Sequence, residues 1–388
     1  MHLPPIEQSF SLNYRYTLHF TEGLFDPGNE LFREIIHAYN PEKAVKLLFV
    51  IDEGLNNHHP GLLPSIREYC AANNHILEYA GHLIVEGGEL SKNTVKYVDN
   101  ILHAINDAAI CRHSFVVAIG GGAVIDMAGY AAAIAHRGVK LIRVPTTVLA
   151  QNDAAVGVKN GINYFGKKNF IGTFAPPYAI INDSRFLTSL EQRDWIAGVA
   201  EAIKVALIKD RAFFHFLEEK AIKMKDRDMG VMNEVIYRCA RIHMEHIAGG
   251  GDPFESGSSR PLDFGHWAAH KLEQLTAYKL RHGEAVAKGI ALDVTYAYLM
   301  GVITREILDS VIKLMEQIGF DLSIPLHEEK DVKELLKGIE EFREHLGGEL
   351  TITLITGIGR KHDVHEIDLD TMKKAVHVLN DACTSHVV

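Results

Sequence analysis

The chain of 388 residues carries a formal net charge of −10 and is 47% hydrophobic and 23% charged. That balance is that of an ordinary globular protein with a large core, and the length suggests two or three domains. With a pI near 6.1, nucleic acid and anionic membrane are not expected as main partners. The most apolar run, Ala123 to Ala135, contains Asp126 and is too short to span a bilayer. MHLPPIEQSF has no basic n-region or apolar h-region, so a secretory leader is not expected. Cys70, Cys111, Cys239 and Cys383 show no CxxC spacing and read as free thiols in a reducing compartment, the cytoplasm.

In chain order, FSLNYRYTLHF (10–20) alternates and reads as a strand. Residues 28–40 read as a helix. Residues 46–52, KLLFVID, form a continuous apolar run suited to a buried parallel strand with Asp52 at its carboxyl end. An acid there can bond an adenosine ribose in a dinucleotide fold, and equally it can form a turn. A helix near 61–73, a strand near 76–85, the turn EGGELSK with Glu89 and Lys92, and a helix near 92–108 follow. The strand FVVAI (115–119) runs into Gly120-Gly121-Gly122 and then a helix with Asp126. Strand, glycine cluster and helix N-terminus form a phosphate-cradling arrangement, although the spacing is not GxGxxG. Another strand, 140–144, stops at Pro145-Thr146-Thr147. The alternation over about 20–180 predicts a parallel α/β domain.

From Leu187 onward long amphipathic helices dominate, near 190–209, 211–224, 229–248, 265–278, 283–300, 303–318 and 329–345, interrupted by a short strand over 350–355. The expected organisation is an α/β Rossmann-like nucleotide-binding domain over 1–182 and a mainly α-helical metal- and substrate-binding domain over 183–388. Between them, residues 152–172 mix glycines, lysines and Asn/Asp as a polyanion site would, or a solvated loop. In the stretch 257–286, His266 and His270 are four apart and share a helix face, and His282-Gly283-Glu284 follows. Glu201, in GVAEAIK, could complete a divalent-metal site. Any one such histidine alone reads as an ordinary solvated imidazole.

The landmarks GGGAVIDMAGYAAA, HRGVKLIRVPTTVLAQNDAAVGVKNGIN, KKNFIGTF, AGVAEAIK, DFGHWAAH and HGEAV, in this order, are similar to those of the sugar phosphate cyclases, the 3-dehydroquinate synthase family. The similarity spans about residues 45–300 closely and the remainder loosely. The resemblance implies NAD⁺, one divalent metal (zinc or cobalt), a phosphorylated sugar substrate and a homodimer. It implies transient oxidation of a hydroxyl, phosphate elimination, reduction of the ketone, ring opening and an intramolecular aldol closure. It assigns Glu201, His266 and His282 to the metal, two His and one Glu leaving an open position. It places Lys204 near the oxidised centre and Asp153, Lys159, Lys168 and Asn169 in the substrate site. Lys159 and Asn169 would contact phosphate, with Arg137 reaching it from the other subunit. His270 and Arg260 belong to the same catalytic set. Asp52, Glu89, Lys92, Gly121, Gly122, Asp126, Thr146 and Thr147 fall around NAD, near Lys159 and Lys168.

The chain departs from 3-dehydroquinate synthase in three places. Asp263 replaces an Asn, a carboxylate-reading lysine aligns near His246, and a late Asp-Lys-Lys motif is replaced around Phe342-Arg343-Glu344-His345, so that Arg343 or His345 would do that work. Loss of a fixed cation and gain of an anion weaken a carboxylate site. An Asp there resembles the sedoheptulose 7-phosphate cyclases, and His270 resembles dehydroquinate synthase. The expectation is a cyclase of a neutral heptulose 7-phosphate. The alternatives are 3-dehydroquinate synthase proper, an NAD- and metal-dependent polyol dehydrogenase, which would produce net NADH, and a non-catalytic relative.

Overall fold

The computed structural model describes residues 3–250, 253–254, 260–326 and 328–385. Gly257–Ser259, at the start of the histidine stretch, and the side chains of His345 and Cys383 lie outside the described residues. The strands are β1 (Thr17–Thr21), β2 (Val45–Asp52), β3 (Leu77–Val85), β4 (Phe115–Gly120), β5 (Lys140–Pro145), β6 (Lys159–Tyr164), β7 (Lys167–Phe174), β8 (Ala179–Asp183), β9 (Ile352–Gly357) and β10 (Arg360–Val364). The helices of the first half are α1 (Leu31–Tyr39), α2 (Glu53–His58), α3 (Leu62–Ala72), α4 (Lys96–Asp107) and α5 (Gly122–Ile134). Those of the second half are α6 (Gln192–Ala197), α7 (Val199–Lys209), α8 (Arg211–Lys225), α9 (Met229–Gly249), α10 (His266–Leu275), α11 (His282–Leu299), α12 (Arg305–Ile318), α13 (Glu329–His345) and α14 (Leu369–Ser385).

Six strands form a parallel sheet in the order β1-β8-β5-β4-β2-β3. Its central strands are apolar throughout because both faces are covered. In β2, Leu47, Phe49 and Ile51 enter one core while Leu48 and Val50 enter another on the opposite face. The chain steps outward from β2 to β3, then returns to the other side of β2 as β4. Ligands of such sheets bind at the carboxyl ends where the order reverses, here beside Asp52 and Gly120. The fold is a Rossmann-like α/β domain followed by a mainly helical one with its own core around Trp195, Phe213 and Trp267.

Several local expectations are corrected. The strand expected over 10–20 begins only at Thr17, where β8 supplies a partner; residues 10–16 have none. The helix expected from 92 begins at Lys96, after a 3₁₀ turn over Glu89–Asn93. The single helix expected over 190–209 breaks at Gly198, where a Cβ would lie 2.4 Å from Leu149 N. The polar stretch 152–172 is a π-helical turn (Ala150–Ala154) and an antiparallel hairpin, β6–β7. The strand near 350 pairs with β10, and β8 and α14 went unread. No helix among the described residues is long and apolar enough to cross a membrane.

Helices α10 and α11 cross where Gly265 meets Gly289. A Cβ on Gly289 would lie 2.0 Å from Gly265 O, a backbone atom that cannot swing aside. Gly289→Ala is expected to destabilise the protein by about 3 kcal/mol, as overpacking against rigid backbone does. The check is a lowered denaturant midpoint at unchanged m-value.

Candidate active site

A cavity of about 1030 Å³ opens at the carboxyl ends of the sheet strands and runs to the N-termini of α10 and α11. That size exceeds a usual single-ligand pocket and leaves room for two ligands side by side. At the sheet end it is lined by Asp52, Glu89, Lys92, Gly121, Gly122, Asp126, Thr146 and Thr147. Glycines let these strand ends converge. A Cβ on Gly87 would lie 2.3 Å from Asp52 Oδ2, and one on Gly120 would lie 2.9 Å from Asp52 Cβ. Gly121 caps α5 without a side-chain bond, so the first N–H groups of that helix face an incoming anion. Asp52 is itself a helix cap, accepting from Leu55 N at 3.1 Å through Oδ1. Lys92 is buried and donates to Asp126 Oδ2 at 2.8 Å and Asn169 Oδ1 at 2.5 Å. Burial works to lower its pKa, but Asp126 and Glu89 hold it above the ordinary value.

At the helical end three helices converge. Glu201 sits in the first turn of α7 and is fully buried. His266 opens α10 and His282 opens α11. Glu201 Oε1 lies 3.8 Å from His266 Nε2 and 3.9 Å from His282 Nε2. Lys204 Nζ pairs with Glu201 Oε2, while Oε1, the oxygen nearest the two histidines, has no hydrogen-bond partner. Burial, foremost, and Asp153 push the Glu201 carboxyl above its ordinary pKa despite Lys204 and His282. A buried acid so poorly compensated fits a further cation. The outward nitrogens are already engaged. His266 Nδ1 is 3.1 Å from Phe264 O and His282 Nδ1 is 3.1 Å from Glu273 Oε2, which leaves Nε2 of each for a metal. Burial, then Lys204, holds His266 well below its usual pKa, so it is the neutral ligand form at neutral pH. The donor set therefore fits one divalent cation.

The local sequence explains the convergence. In His282-Gly283-Glu284, Glu284 Oε2 accepts Arg281 N at 2.8 Å and caps α11, while a Cβ on Gly283 would lie 2.0 Å from Ala197 O. Gly265, at φ +77°, turns the chain into α10 and donates to Asp293 Oδ2 at 3.1 Å, whose Oδ1 takes Trp267 Nε1 at 2.8 Å. Burial pushes the Asp293 carboxyl up to about 7.

Lys204 is one turn from Glu201 and lines the cavity. Burial alone would lower its pKa; Glu201 first, then Asp153, holds it above the ordinary value, so it is a permanent ammonium. Asp153, also on the cavity, lies 2.9 Å from His243 Nε2 through Oδ1. Burial opposes its ionisation, but Lys204 and then His243 hold its carboxyl well below the usual range. Arg143 inside β5 donates to the carbonyls of Ala155 (2.8 Å), Gly157 (2.5 Å) and Lys159 (3.1 Å) and to Asn160 Oδ1 (2.7 Å), setting the loop that presents Asp153 and Lys159. The hairpin carries Lys168 and Asn169 to the cavity. Lys168 donates to Glu273 at 2.9 and 3.0 Å, and Asn169 N donates to Asn163 Oδ1 at 2.9 Å. His270 stacks 5.9 Å from His282.

Lys159, Arg260, Asp263 and His270 line the same cavity. Three expected residues do not. Arg137 is exposed on a turn with φ +62°, outside this chain's own cavity. His246 turns away from the cavity and meets Lys209 Nζ at 3.1 Å, because it is off the face of α9 that carries His243 and Ile247. Arg343 lies on α13, 3.1 Å from Glu340, and does not line the cavity; the carboxylate-reading role expected of Arg343 has no geometric support. Sequence reasoning missed Glu273, His243 and Arg143. Glu273 was findable, since 266, 270 and 273 share one helix face, and so was Arg143, a cation inside an apolar strand. His243→Ala is expected to lower kcat/KM at least ~10-fold and His246→Ala to stay within about twofold, as steady-state kinetics would show.

The cavity thus joins a nucleotide-type strand-end cradle to a carboxylate–histidine metal set across two domains. Residues 82–197 match the family model of the 3-dehydroquinate synthase N-terminal region and residues 198–342 that of its C-terminal region. The chain belongs to the 3-dehydroquinate synthase family. It is 34% identical over 295 residues to a 3-dehydroquinate synthase of Shewanella sp. (strain MR-4), covering 76% of this chain and 81% of that one. It is 34% identical over 321 residues to that of Halorhodospira halophila (strain DSM 244 / SL1), covering 80% and 88%. In structure it is similar to ValA, a 2-epi-5-epi-valiolone synthase from Streptomyces hygroscopicus subsp. jinggangensis 5008 with NAD+ and Zn2+ bound (TM-score 0.86, 24% identity, 97% of this chain and 100% of that one). It also shares its fold with a 2-deoxy-scyllo-inosose synthase complexed with carbaglucose-6-phosphate, NAD+ and Co2+ (TM-score 0.76, 22% identity, 92% and 95%).

Proposed function

We propose that this chain is an NAD- and divalent-metal-dependent sugar phosphate cyclase, a phosphate-eliminating carbon–oxygen lyase that closes an uncharged heptulose 7-phosphate into a carbocycle. The observation that carries the reading is the cavity lined by the strand-end cradle, Lys204, Asp153, His266 and His282, with the buried Glu201 grouped with the two histidines. We further propose a domain division of 1–182 and 183–388, a cytoplasmic location and a homodimer in which Arg137 serves the other copy's cavity.

When bound, NAD would supply reversible oxidation of a substrate hydroxyl, and zinc or cobalt would polarise it and its neighbour. Glu201, His266 and His282 would hold the metal; Asp52, Glu89, Lys92, Gly121, Gly122, Asp126, Thr146 and Thr147 would surround NAD. The Lys204 ammonium orients the reacting hydroxyl oxygen and stabilises charge developing there. Asp153, held ionised, accepts a bond from a sugar hydroxyl. Lys159, Arg260 and Asn169 orient the phosphate, with Lys168 behind them. Burial, first, and Lys168 keep His270 well below its ordinary pKa, so at neutral pH a ring nitrogen can take or relay a proton as phosphate departs. The departing phosphate is itself a proton acceptor.

Charge argues for an uncharged sugar. The buried cations Lys92, Lys168 and Lys204 already face Asp126, Glu273 and Glu201. Asp263 adds an anion to the wall, close enough to Lys204 to act on it. A substrate carboxylate near Asp263 would meet repulsion from it. Asp263→Asn is expected to raise kcat/KM for a carboxylated substrate, relative to the neutral one, by ~10-fold. The second reading, 3-dehydroquinate synthase proper, is favoured by the names of the relatives at 34% identity. The test is phosphate release with NAD⁺ and Zn²⁺ or Co²⁺ from sedoheptulose 7-phosphate against 3-deoxy-arabino-heptulosonate 7-phosphate, with absorbance followed for NADH. Release from the first alone without net NADH supports the proposal. Release from the second alone supports the dehydroquinate reading, and net NADH from either would sink both in favour of a dehydrogenase.

A further inference from the structure

Two buried carboxylates tie α10 to α11, one at each end. At one end Glu273 of α10 lies 3.1 Å from Nδ1 of His282, the first residue of α11. At the other, Asp293 of α11 takes the start of α10: Oδ2 accepts Gly265 N at 3.1 Å and Oδ1 accepts Trp267 Nε1 at 2.8 Å. The two helices therefore run antiparallel. His282, Val286, Gly289 and Asp293 recur on one face of α11, the face that meets α10. Asp293 is fully buried and does not line the cavity, so no substrate or cofactor touches it. Among the described residues no cation acts on it, and burial is offset only by those two N–H groups. A carboxylate buried without a cation is costly, and the apolar packing of α10 on α11 does not call for one.

We propose that Asp293 is a positioning residue for the metal histidine His266, acting on it through the Phe264–Gly265 peptide as Glu273 acts directly on His282. The link is one peptide unit. Its N–H, that of Gly265, donates to Asp293 Oδ2, and its C=O, that of Phe264, lies 3.1 Å from His266 Nδ1. The unit is planar, so fixing its N–H fixes the direction of its C=O. A carboxylate on the N–H also polarises the C=O as an acceptor. The ring of His266 is thereby held with Nε2 toward Glu201 before any metal binds. The second oxygen of Asp293, on the Trp267 indole, stops α10 from turning about its axis. A slip of one residue would rotate His266 by about 100° away from Glu201 and His282. The carboxylate suits the task because it offers two acceptors and no donor, whereas the amide of an Asn would turn its N–H₂ against one of the two N–H groups. The proposal rests on the assignment of Glu201, His266 and His282 to a divalent metal.

The test is Co²⁺ added to metal-free protein, with affinity read by chelator competition and ligand geometry read from the visible cobalt spectrum. The wild type is expected to bind Co²⁺ at this site. Asp293→Asn is expected to weaken binding by ~10-fold or more, as loss of a partner behind a ligand does, and to change the spectrum. Trp267→Phe removes one of the two donors and is expected to weaken binding by ~3-fold. Because both act through one contact, the double variant is expected to fall short of the product of the two losses. A folded Asp293→Asn protein with wild-type affinity and spectrum, whatever its melting temperature, would overturn the proposal and leave Asp293 a packing residue. Should that variant not fold, Trp267→Phe with wild-type affinity and spectrum would overturn it instead. A wild type that binds no Co²⁺ would overturn the metal assignment itself, and this proposal with it.

Discussion

Glu201→Gln is expected to abolish metal binding and, with it, turnover. The amide keeps the size of the carboxyl, but it removes the single negative charge in the donor set and places an N–H₂ group against two imidazole nitrogens. Divalent cations bind such sites through deprotonated ligands, and even the partners behind a ligand are worth 10–100-fold in affinity. Loss of the ligand itself should exceed that, leaving purified protein with less than about a tenth of the metal of the wild type by elemental analysis. Phosphate release should fall by ~10³-fold or more, since charge stabilisation by a metal is worth several kcal/mol. Because the amide also deprives the buried Lys204 ammonium of its first anionic partner, folding is checked beside metal content. Unaltered metal content in a folded Glu201→Gln protein would remove Glu201 from the ligand set.

Lys204→Met is expected to separate metal binding from turnover. The ammonium pairs with Glu201 and acts on Asp153, and it lies on the cavity wall. Removing it takes away a cation that competes with the metal for Glu201, so metal content should be retained. In the proposed role it also removes a fixed positive charge from the reacting hydroxyl, which as an electrostatic stabiliser is worth ~10²–10³ in kcat. Glu201 and Asp153 then face each other without a cation, and breaking a buried pair costs about 3–5 kcal/mol. That loss should appear in the metal-free protein and be offset when Zn²⁺ is added, because a ligand that binds only the folded state stabilises it. A Lys204→Met protein that has lost its metal as well would assign Lys204 to building the site rather than to the reacting hydroxyl.

The sequence by itself determined the class of fold, the main alternation of strands and helices, and many of the charged and polar residues on the cavity wall. Continuous apolar runs ending in Asp52, Gly120 and Pro145 are legible because a doubly covered parallel strand has no polar face, and glycine clusters are legible because side chains cannot fit where backbones converge. His266 and His282 are legible because each opens a helix with its own glycine signature. The tertiary structure decided what spacing cannot encode. Glu273 and Lys168 are far apart in the chain and meet only because the β6–β7 hairpin folds against α10. On α9 it is His243 and not His246 that meets Asp153, since a helix face is chosen by what it packs against. Arg343 and Arg137 point elsewhere for the same reason: charge in a motif says what a residue can bind, while packing alone says which cavity it enters.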